Sequence, residues 1–89
     1  MRNVSNLKTD LVHLYYKNRE HTLRKQEDIL KSLREKYQRT QQEVADGLYV
    51  SRQTYSSWEC GRSEIPMFSY LKLAVFYEID IEELMQALF

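Results

Sequence analysis

Two short helical patterns near the middle of the chain are separated by only about three residues, and this spacing restricts the fold most. The first follows Thr40, where T-Q-Q-E has the form of a capping box and predicts a helix over Gln41–Leu48. Ser51 is the next capping residue and predicts a helix over Ser51–Cys60 that ends at Gly61. The residues expected to be buried in the first helix are Val44, Ala45 and Leu48. So short a link forces the two helices to pack at a steep angle.

The remaining segments also show helical spacing. The apolar positions, in chain order, are Val4, Leu7, Leu11 and Leu14; Ile29, Leu30, Leu33 and Tyr37; Phe68, Leu71, Leu73, Ala74, Val75 and Phe76; and Ile81, Leu84, Met85 and Leu88. Asp80 has the form of an N-cap for the last of these helices. Two Gly and one Pro in 89 residues argue against a turn-rich β fold, and the sequence predicts an all-α chain.

Composition excludes several classes of protein. A length of 89 residues suits one small domain, and a single Cys rules out an internal disulfide framework, which favours a reducing, intracellular setting. No apolar run is long enough to span a membrane, and the N-terminus lacks the apolar core of a secretory signal. His13 and His21 are not spaced as metal ligands, and no nucleophile–base pair or phosphate loop is present. We therefore expect no enzyme activity, no metal site and no cofactor.

Charge is distributed unevenly along a chain whose net charge is zero. Residues 1–39 carry ten Lys and Arg against five Asp and Glu, whereas residues 67–89 carry one against four. Basic residues gathered at one end are typical both of nucleic-acid contact and of a solvated helix face. Five basic residues lie before or on the first domain helix and are candidates for neutralising phosphates. They are Arg19, Arg24, Lys25, Lys31 and Arg34.

The second central helix has two faces. Val50, Tyr55 and Trp58 form an apolar side. The opposite side is short and polar and holds Arg52, Gln53, Ser56 and Ser57. It contains no general acid or base, but Arg and Gln are the side chains that make bidentate contacts to guanine and adenine edges in the major groove.

The segment T-Q-Q-E-V-A-D-G-L-Y-V-S-R-Q-T-Y-S-S-W-E-C-G-R resembles the lambda-repressor-like, or Cro/C1-type (XRE), helix-turn-helix family. Flanking segments extend the resemblance over about residues 28–86. It implies a five-helix domain over residues 28–89 with its motif at about 41–60, preceded by an additional helical extension over residues 1–27. Those first 27 residues have no counterpart in the minimal family domain. Their apolar stripe is equally suited to packing on its own domain or on a partner.

The resemblance also implies roles for individual residues. Gln41 matches the position that caps the first motif helix over a phosphate. The positions that face base edges are matched by Arg52, Gln53 and Ser57, and those near the DNA backbone by Thr54, Ser56 and Arg62. Tyr49 departs from the family, which usually has Gly at the turn, and a positive φ at Tyr49 would cost roughly 1 kcal/mol. Cys60 and Glu78 also replace residues more usual in the family.

The function implied by the resemblance is sequence-specific binding of double-stranded operator DNA by a cytoplasmic, nucleoid-associated transcriptional regulator, a bacterial or phage repressor. A homodimer is expected, because one reading helix contacts few base pairs. Either the Val4–Leu14 stripe or the C-terminal run ending in Leu88 and Phe89 would form it, and the N-terminal stripe is slightly favoured because it is absent from the minimal family domain. The alternative function is a protein-interaction module that serves a protein partner, such as the antitoxin of a toxin–antitoxin pair.

Overall fold

The computed structural model describes residues 21–88, which form five α-helices and no β-strand. Helix α1 covers 21–36, and the following helices are α2 (Gln41–Gly47), α3 (Arg52–Glu59), α4 (Met67–Tyr77) and α5 (Ile81–Leu88). The predicted all-α, five-helix architecture is confirmed. None of these described helices is long and apolar enough to cross a membrane. The predicted helix with the Val4–Leu14 stripe lies outside the described residues.

The helices begin where the capping residues predicted. Thr40 Oγ1 accepts the Glu43 N–H at 3.1 Å, and Glu43 Oε1 accepts the Thr40 N–H at 3.0 Å, so the capping box is complete. Ser51 Oγ accepts the Thr54 N–H at 3.0 Å, and Asp80 Oδ1 accepts the Glu82 N–H at 2.7 Å. The two motif helices are each slightly shorter than predicted, because Leu48 and Cys60 are C-caps.

Helices α1 to α4 all end in the same Schellman arrangement. In each, a residue with positive φ follows the helix, and the next N–H donates back to a carbonyl five residues earlier. These bonds are Arg39 to Arg34 at 2.9 Å, Val50 to Ala45 at 3.0 Å, Arg62 to Ser57 at 2.9 Å and Ile79 to Ala74 at 2.9 Å. The residues with positive φ are Gln38 (53°), Tyr49 (59°), Gly61 (70°) and Glu78 (55°). The turn between α2 and α3 thus has the positive φ that is usual for Gly, although Tyr49 occupies this position.

One apolar core joins the five helices. Its buried members are Leu30, Val44, Ala45, Leu48, Tyr55, Trp58, Ile65, Tyr70, Leu73, Ala74, Tyr77, Leu84 and Leu88. The predicted burial of the α2 residues is therefore confirmed. Where α2 meets α4, a Cβ on Gly47 would overlap the ring of Phe76, so the close approach of these helices depends on Gly47.

The predicted apolar stripe of α4 is only partly correct. Phe68, Leu71 and Val75 are exposed, whereas Tyr70 and Tyr77 face the core. The sequence M-F-S-Y-L-K-L-A-V-F-Y is apolar nearly all round the helix, so spacing alone does not select the buried face. Packing against the other helices makes that selection.

Candidate nucleic-acid interface

The first turn of α3 presents three polar side chains to solvent. Arg52, Gln53 and Thr54 are all exposed and follow directly after the capping residue Ser51. Within the described residues, neither Arg52 nor Gln53 forms a side-chain hydrogen bond or ion pair, whereas the Thr54 hydroxyl accepts from Ser51 Oγ at 2.8 Å. Arg52 and Gln53 therefore keep their donors and acceptors for an external ligand.

The opposite side of α3 is anchored in the core. Tyr55 and Trp58 are buried, as predicted, and their rings meet edge to face with centroids 6.5 Å apart. This packing fixes the rotation of α3 about its axis. The exposed side chains of its first turn are therefore held in one orientation by the protein interior.

A buried ion pair also fastens α3 to α1. Arg34 Nη2 donates to Glu59 Oε1 at 2.7 Å, and Arg34 Nε donates to Glu59 Oε2 at 3.0 Å, a bidentate arrangement. The exposed fraction is 25% for the Arg34 side chain and 3% for that of Glu59. Burial is the largest single effect and would raise the pKa of Glu59, but the hydrogen bonds and charge of Arg34, together with the neighbouring Tyr55 and Gln41 side chains, outweigh burial and lower that pKa. Arg34 is thus engaged within the protein, contrary to the expectation that it neutralises phosphate.

Gln41 is the first residue of α2 and is half-buried. Its side chain lies close enough to the Glu59 carboxylate to contribute to lowering the pKa of that group. Gln41 therefore lies where the beginning of α2 meets the end of α3. The N-terminal end of α2, where a helix has unsatisfied N–H donors, is the place at which the resemblance expects a phosphate.

The remaining predicted residues lie at the end of α3 and just beyond it. Ser56 and Ser57 are half-buried, and Ser57 Oγ shares a 2.8 Å hydrogen bond with Ser63 Oγ. Arg62 is exposed, and its backbone N–H is held by the Ser57 carbonyl. The hydroxyl of Ser57 is therefore partly occupied within the protein, whereas the Arg62 guanidinium has no ion pair among the described residues.

Sequence reasoning missed Gln26, which is buried in the core on α1. Its side-chain amide hydrogen-bonds the last turn of α3 and the segment that connects α3 to α4. One signal for it exists in the sequence, because Gln26 falls on the same spacing as Leu23, Leu30 and Leu33. A Gln at an apolar position indicates a buried amide with dedicated partners.

Local charge balances around the candidate interface. Residues 40–66 contain two Arg and four acidic residues, but two of these acids are paired with cations from outside that segment. Glu59 is held by Arg34, and Glu43 lies 3.4 Å from the Arg39 guanidinium. The exposed charges left beside Arg52 and Arg62 are those of Asp46 and Glu64. The surface of residues 40–66 is thus nearly neutral, so these residues alone supply little of the phosphate attraction that dominates DNA affinity.

Comparison with known proteins agrees with this geometry. A family model described as Helix-turn-helix, of the Cro/C1 type, matches residues 30–84, which is more than half of the chain. Neither the curated proteins nor the solved structures yielded a match. Proteins of this family are, in general terms, DNA-binding regulators. On the match and the helical geometry together, the chain belongs to the Cro/C1-type helix-turn-helix family.

Proposed function

We propose that this protein is a sequence-specific transcriptional regulator, a bacterial or phage repressor, that reads operator DNA by placing the first turn of α3 in the major groove. The observation that carries the proposal is the exposed pair Arg52 and Gln53 on a helix whose opposite face is locked into the core. An Arg pairs bidentately with guanine and a Gln with adenine, so these two side chains specify sequence.

The other residues of the interface position the protein on the DNA backbone. Thr54, Ser56 and Arg62 are assigned to phosphates near α3, and Gln41 to a phosphate at the start of α2. Ser57 remains assigned to a base edge, and its hydroxyl also shares a hydrogen bond with the Ser63 hydroxyl. Such backbone contacts fix register and orientation but do not themselves discriminate sequence.

The test is a gel shift on the gene's own upstream region, at low and at moderate salt, with each base-reading side chain changed in turn. Arg52→Ala and Gln53→Ala should each cost about 1–3 kcal/mol of discrimination between operator and unrelated DNA. Arg52→Lys keeps the charge but loses the planar fork, so it should lose discrimination while retaining much of its non-specific affinity. Gln86→Ala, at an exposed position of α5, is the control.

The circular-dichroism melt of the Arg52 and Gln53 variants should match that of the wild type, because both side chains are exposed. Wild-type discrimination in both Ala variants would remove these residues from the reading role. A wild-type chain that shows no preference for any genomic fragment, even at low salt, would refute the proposed function.

A second candidate function is a protein-interaction module, such as the antitoxin of a toxin–antitoxin pair. The observation that favours it is the exposed apolar strip on α4 formed by Met67, Phe68, Leu71 and Val75. This function predicts co-purification with the product of an adjacent gene, abolished by Leu71→Glu with Val75→Glu. If co-purification is present and specific DNA binding is absent, the second function replaces the first.

A further inference from the structure

Gln26 is a fully buried polar residue in the middle of an apolar helix face. Its exposed fraction is 0%, and on α1 it lies one helical turn before the core residue Leu30. A buried amide is costly unless its donors and acceptor are satisfied. The partners of Gln26 therefore show what the side chain does.

All the partners of Gln26 lie in one short segment and the helix that follows it. Its Nε2 donates to the Trp58 carbonyl at 2.9 Å and to the Ser63 carbonyl at 3.0 Å. Its Oε1 accepts the Ile65 N–H at 2.9 Å and the Tyr70 hydroxyl at 3.5 Å. Two of these four bonds satisfy backbone groups of the loop between α3 and α4, at Ser63 and Ile65, and a third reaches the Trp58 carbonyl in the last turn of α3. The Trp58 carbonyl also accepts the Gly61 N–H at 3.2 Å, whereas the Ser63 carbonyl and the Ile65 N–H have Gln26 as their partner among the described residues.

Only an amide side chain of this length supplies both kinds of group. Two N–H donors reach two carbonyls, and the single carbonyl oxygen accepts from a backbone N–H and a hydroxyl. A hydrocarbon of the same volume would leave the Trp58 and Ser63 carbonyls and the Ile65 N–H without Gln26 as a partner. The geometry thus ties the path of the α3–α4 loop to one side chain on α1.

The same loop carries Arg62. On its other side, it is fixed to α3 by the 2.8 Å Ser57–Ser63 hydroxyl bond and by the Arg62 N–H bond to the Ser57 carbonyl. At Gly61 the loop lies against α1, since a Cβ there would meet Glu27 Oε2 at 3.3 Å and the Leu23 carbonyl at 3.8 Å. Gln26 and α3 together therefore determine where the exposed Arg62 side chain leaves the protein surface.

We propose that Gln26 is a positioning residue of the DNA interface, whose buried amide holds the α3–α4 loop so that Arg62 meets a phosphate of the operator backbone. This role rests on the proposed function. Gln26 itself touches no DNA and acts through the loop. It explains why an amide occupies a position at which an aliphatic residue would pack more simply.

The first experiment compares Gln26→Leu with the wild-type full-length chain by hydrogen exchange, without DNA. The Ile65 amide should exchange about tenfold faster or more in Gln26→Leu, because its acceptor is gone, while amides in α5 change no more than global stability requires. Unchanged protection of the Ile65 amide would show that Gln26 does not hold the α3–α4 loop.

The second experiment measures operator affinity against salt at a temperature where every variant is folded. Gln26→Leu should weaken binding and reduce the salt slope by about one unit, the expectation for one lost phosphate contact. Leu84→Ala, which removes core volume on α5, is the matched control. It should lose stability but keep the slope. Equal slopes for Gln26→Leu and the wild type would overturn the positioning role.

A double-mutant cycle separates positioning from general damage. Once Arg62→Ala has removed the phosphate contact, adding Gln26→Leu should change the salt slope no further, because both changes remove the same contact. Additive losses of slope would show that Gln26 acts elsewhere. A wild-type chain that binds no operator refutes the proposed function, whereas wild-type binding with normal affinity in Gln26→Leu refutes only the role of Gln26.

Gln26→Glu supplies a test if Gln26→Leu fails to fold. The carboxylate cannot donate to the Trp58 and Ser63 carbonyls, but burial raises the pKa of a Glu, and the protonated form donates one hydrogen bond. Operator affinity of Gln26→Glu relative to the wild type should therefore recover as pH is lowered from 8 to 5. A relative affinity that is unchanged or falls over this range would overturn the proposal.

Discussion

Among the described residues, three that are not glycine hold a backbone conformation that favours glycine. Gln38, Tyr49 and Glu78 have φ between 53° and 59°, and each follows a helix that Gly would end more cheaply. A non-Gly residue in this region costs roughly 1 kcal/mol, and Tyr49 gains little in return because 86% of its side chain is exposed. Of the helices α1 to α4, one is thus followed by Gly61 and three by a non-glycine residue with a strained backbone.

Replacing these residues with Gly should stabilise the protein. Because Gly relieves the strain but also gives the unfolded chain more freedom, we expect Glu78→Gly and Gln38→Gly each to raise the free energy of unfolding by about 0.5 kcal/mol. Urea denaturation measures this. Glu35→Gly is the matched control, since Glu35 is an exposed position inside α1, where Gly should destabilise by about 1 kcal/mol. Destabilisation by Glu78→Gly would show that its side chain, not its backbone, matters.

At the scale of the helices, the Arg34–Glu59 ion pair is a polar contact between α1 and α3 whose carboxylate is buried. The pKa of Glu59 is lowered in the folded protein, so the pair stabilises the fold at neutral pH. That stabilisation is lost as pH falls below the ordinary Glu pKa and through the lowered folded value. A carboxylate that is 3% exposed has little water to replace a missing Arg.

Arg34→Met should therefore destabilise the protein by about 3 kcal/mol at pH 7, because it leaves Glu59 buried without a partner. Burial then raises the pKa of Glu59 in the variant, so the variant should recover relative to the wild type as pH is lowered towards 4–5. Thermal melts across this pH range check both statements. Arg34→Met with Glu59→Leu should be far more stable at pH 7 than Arg34→Met alone. Equal stability of the single and double variants would contradict the argument.

Local signals in the sequence predicted the helix starts because caps act over three residues. Thr40 with Glu43, Ser51 and Asp80 each mark a helix that begins where expected. The pairing of Arg34 with Glu59 could not be predicted, since 25 residues separate them and only the packing of α1 on α3 brings them together. The buried face of α4 was missed for the same reason.

The candidate site likewise has features that the local sequence predicts and features that depend on packing. That Arg52 and Gln53 would be exposed followed from the polar face of α3, because the apolar residues of that helix have a clear spacing. The hydrogen bond between the Ser57 and Ser63 hydroxyls depends on how the chain returns to α1 after α3, and so do the loop contacts of Gln26. Nothing in the local sequence encodes that return.

At the scale of the whole molecule, the packing of α5 bears on which of the two candidate surfaces would form a dimer. In the C-terminal run, Leu84 and Leu88 are buried in the core, and Ile81 and Met85 pack partly against it. The outward side of α5 presents Glu82, Glu83 and Gln86. The described part of that apolar run is therefore largely used within one chain, which adds to the preference for the Val4–Leu14 stripe as the dimer contact.

We expect the wild type to sediment at twice the 10.8 kDa of one chain at micromolar concentration, and Leu7→Asp with Leu11→Asp to sediment as a monomer. Leu71→Asp with Val75→Asp, on the exposed strip of α4, is the matched control and should remain dimeric. A dimer that survives the Leu7 and Leu11 changes would place the contact elsewhere, and a wild-type monomer would refute the dimer.

Loss of the dimer should also weaken operator binding, because two reading helices spaced about 34–36 Å apart engage two half-sites at once, whereas one α3 contacts only a few base pairs. The loss should exceed that of Arg52→Ala, which removes one contact from each half-site but keeps both helices on the DNA. Gel shifts on the full operator and on a single half-site measure the difference. If the Leu7 and Leu11 changes leave affinity for the full operator equal to that of the wild type, one copy of the domain is sufficient for recognition.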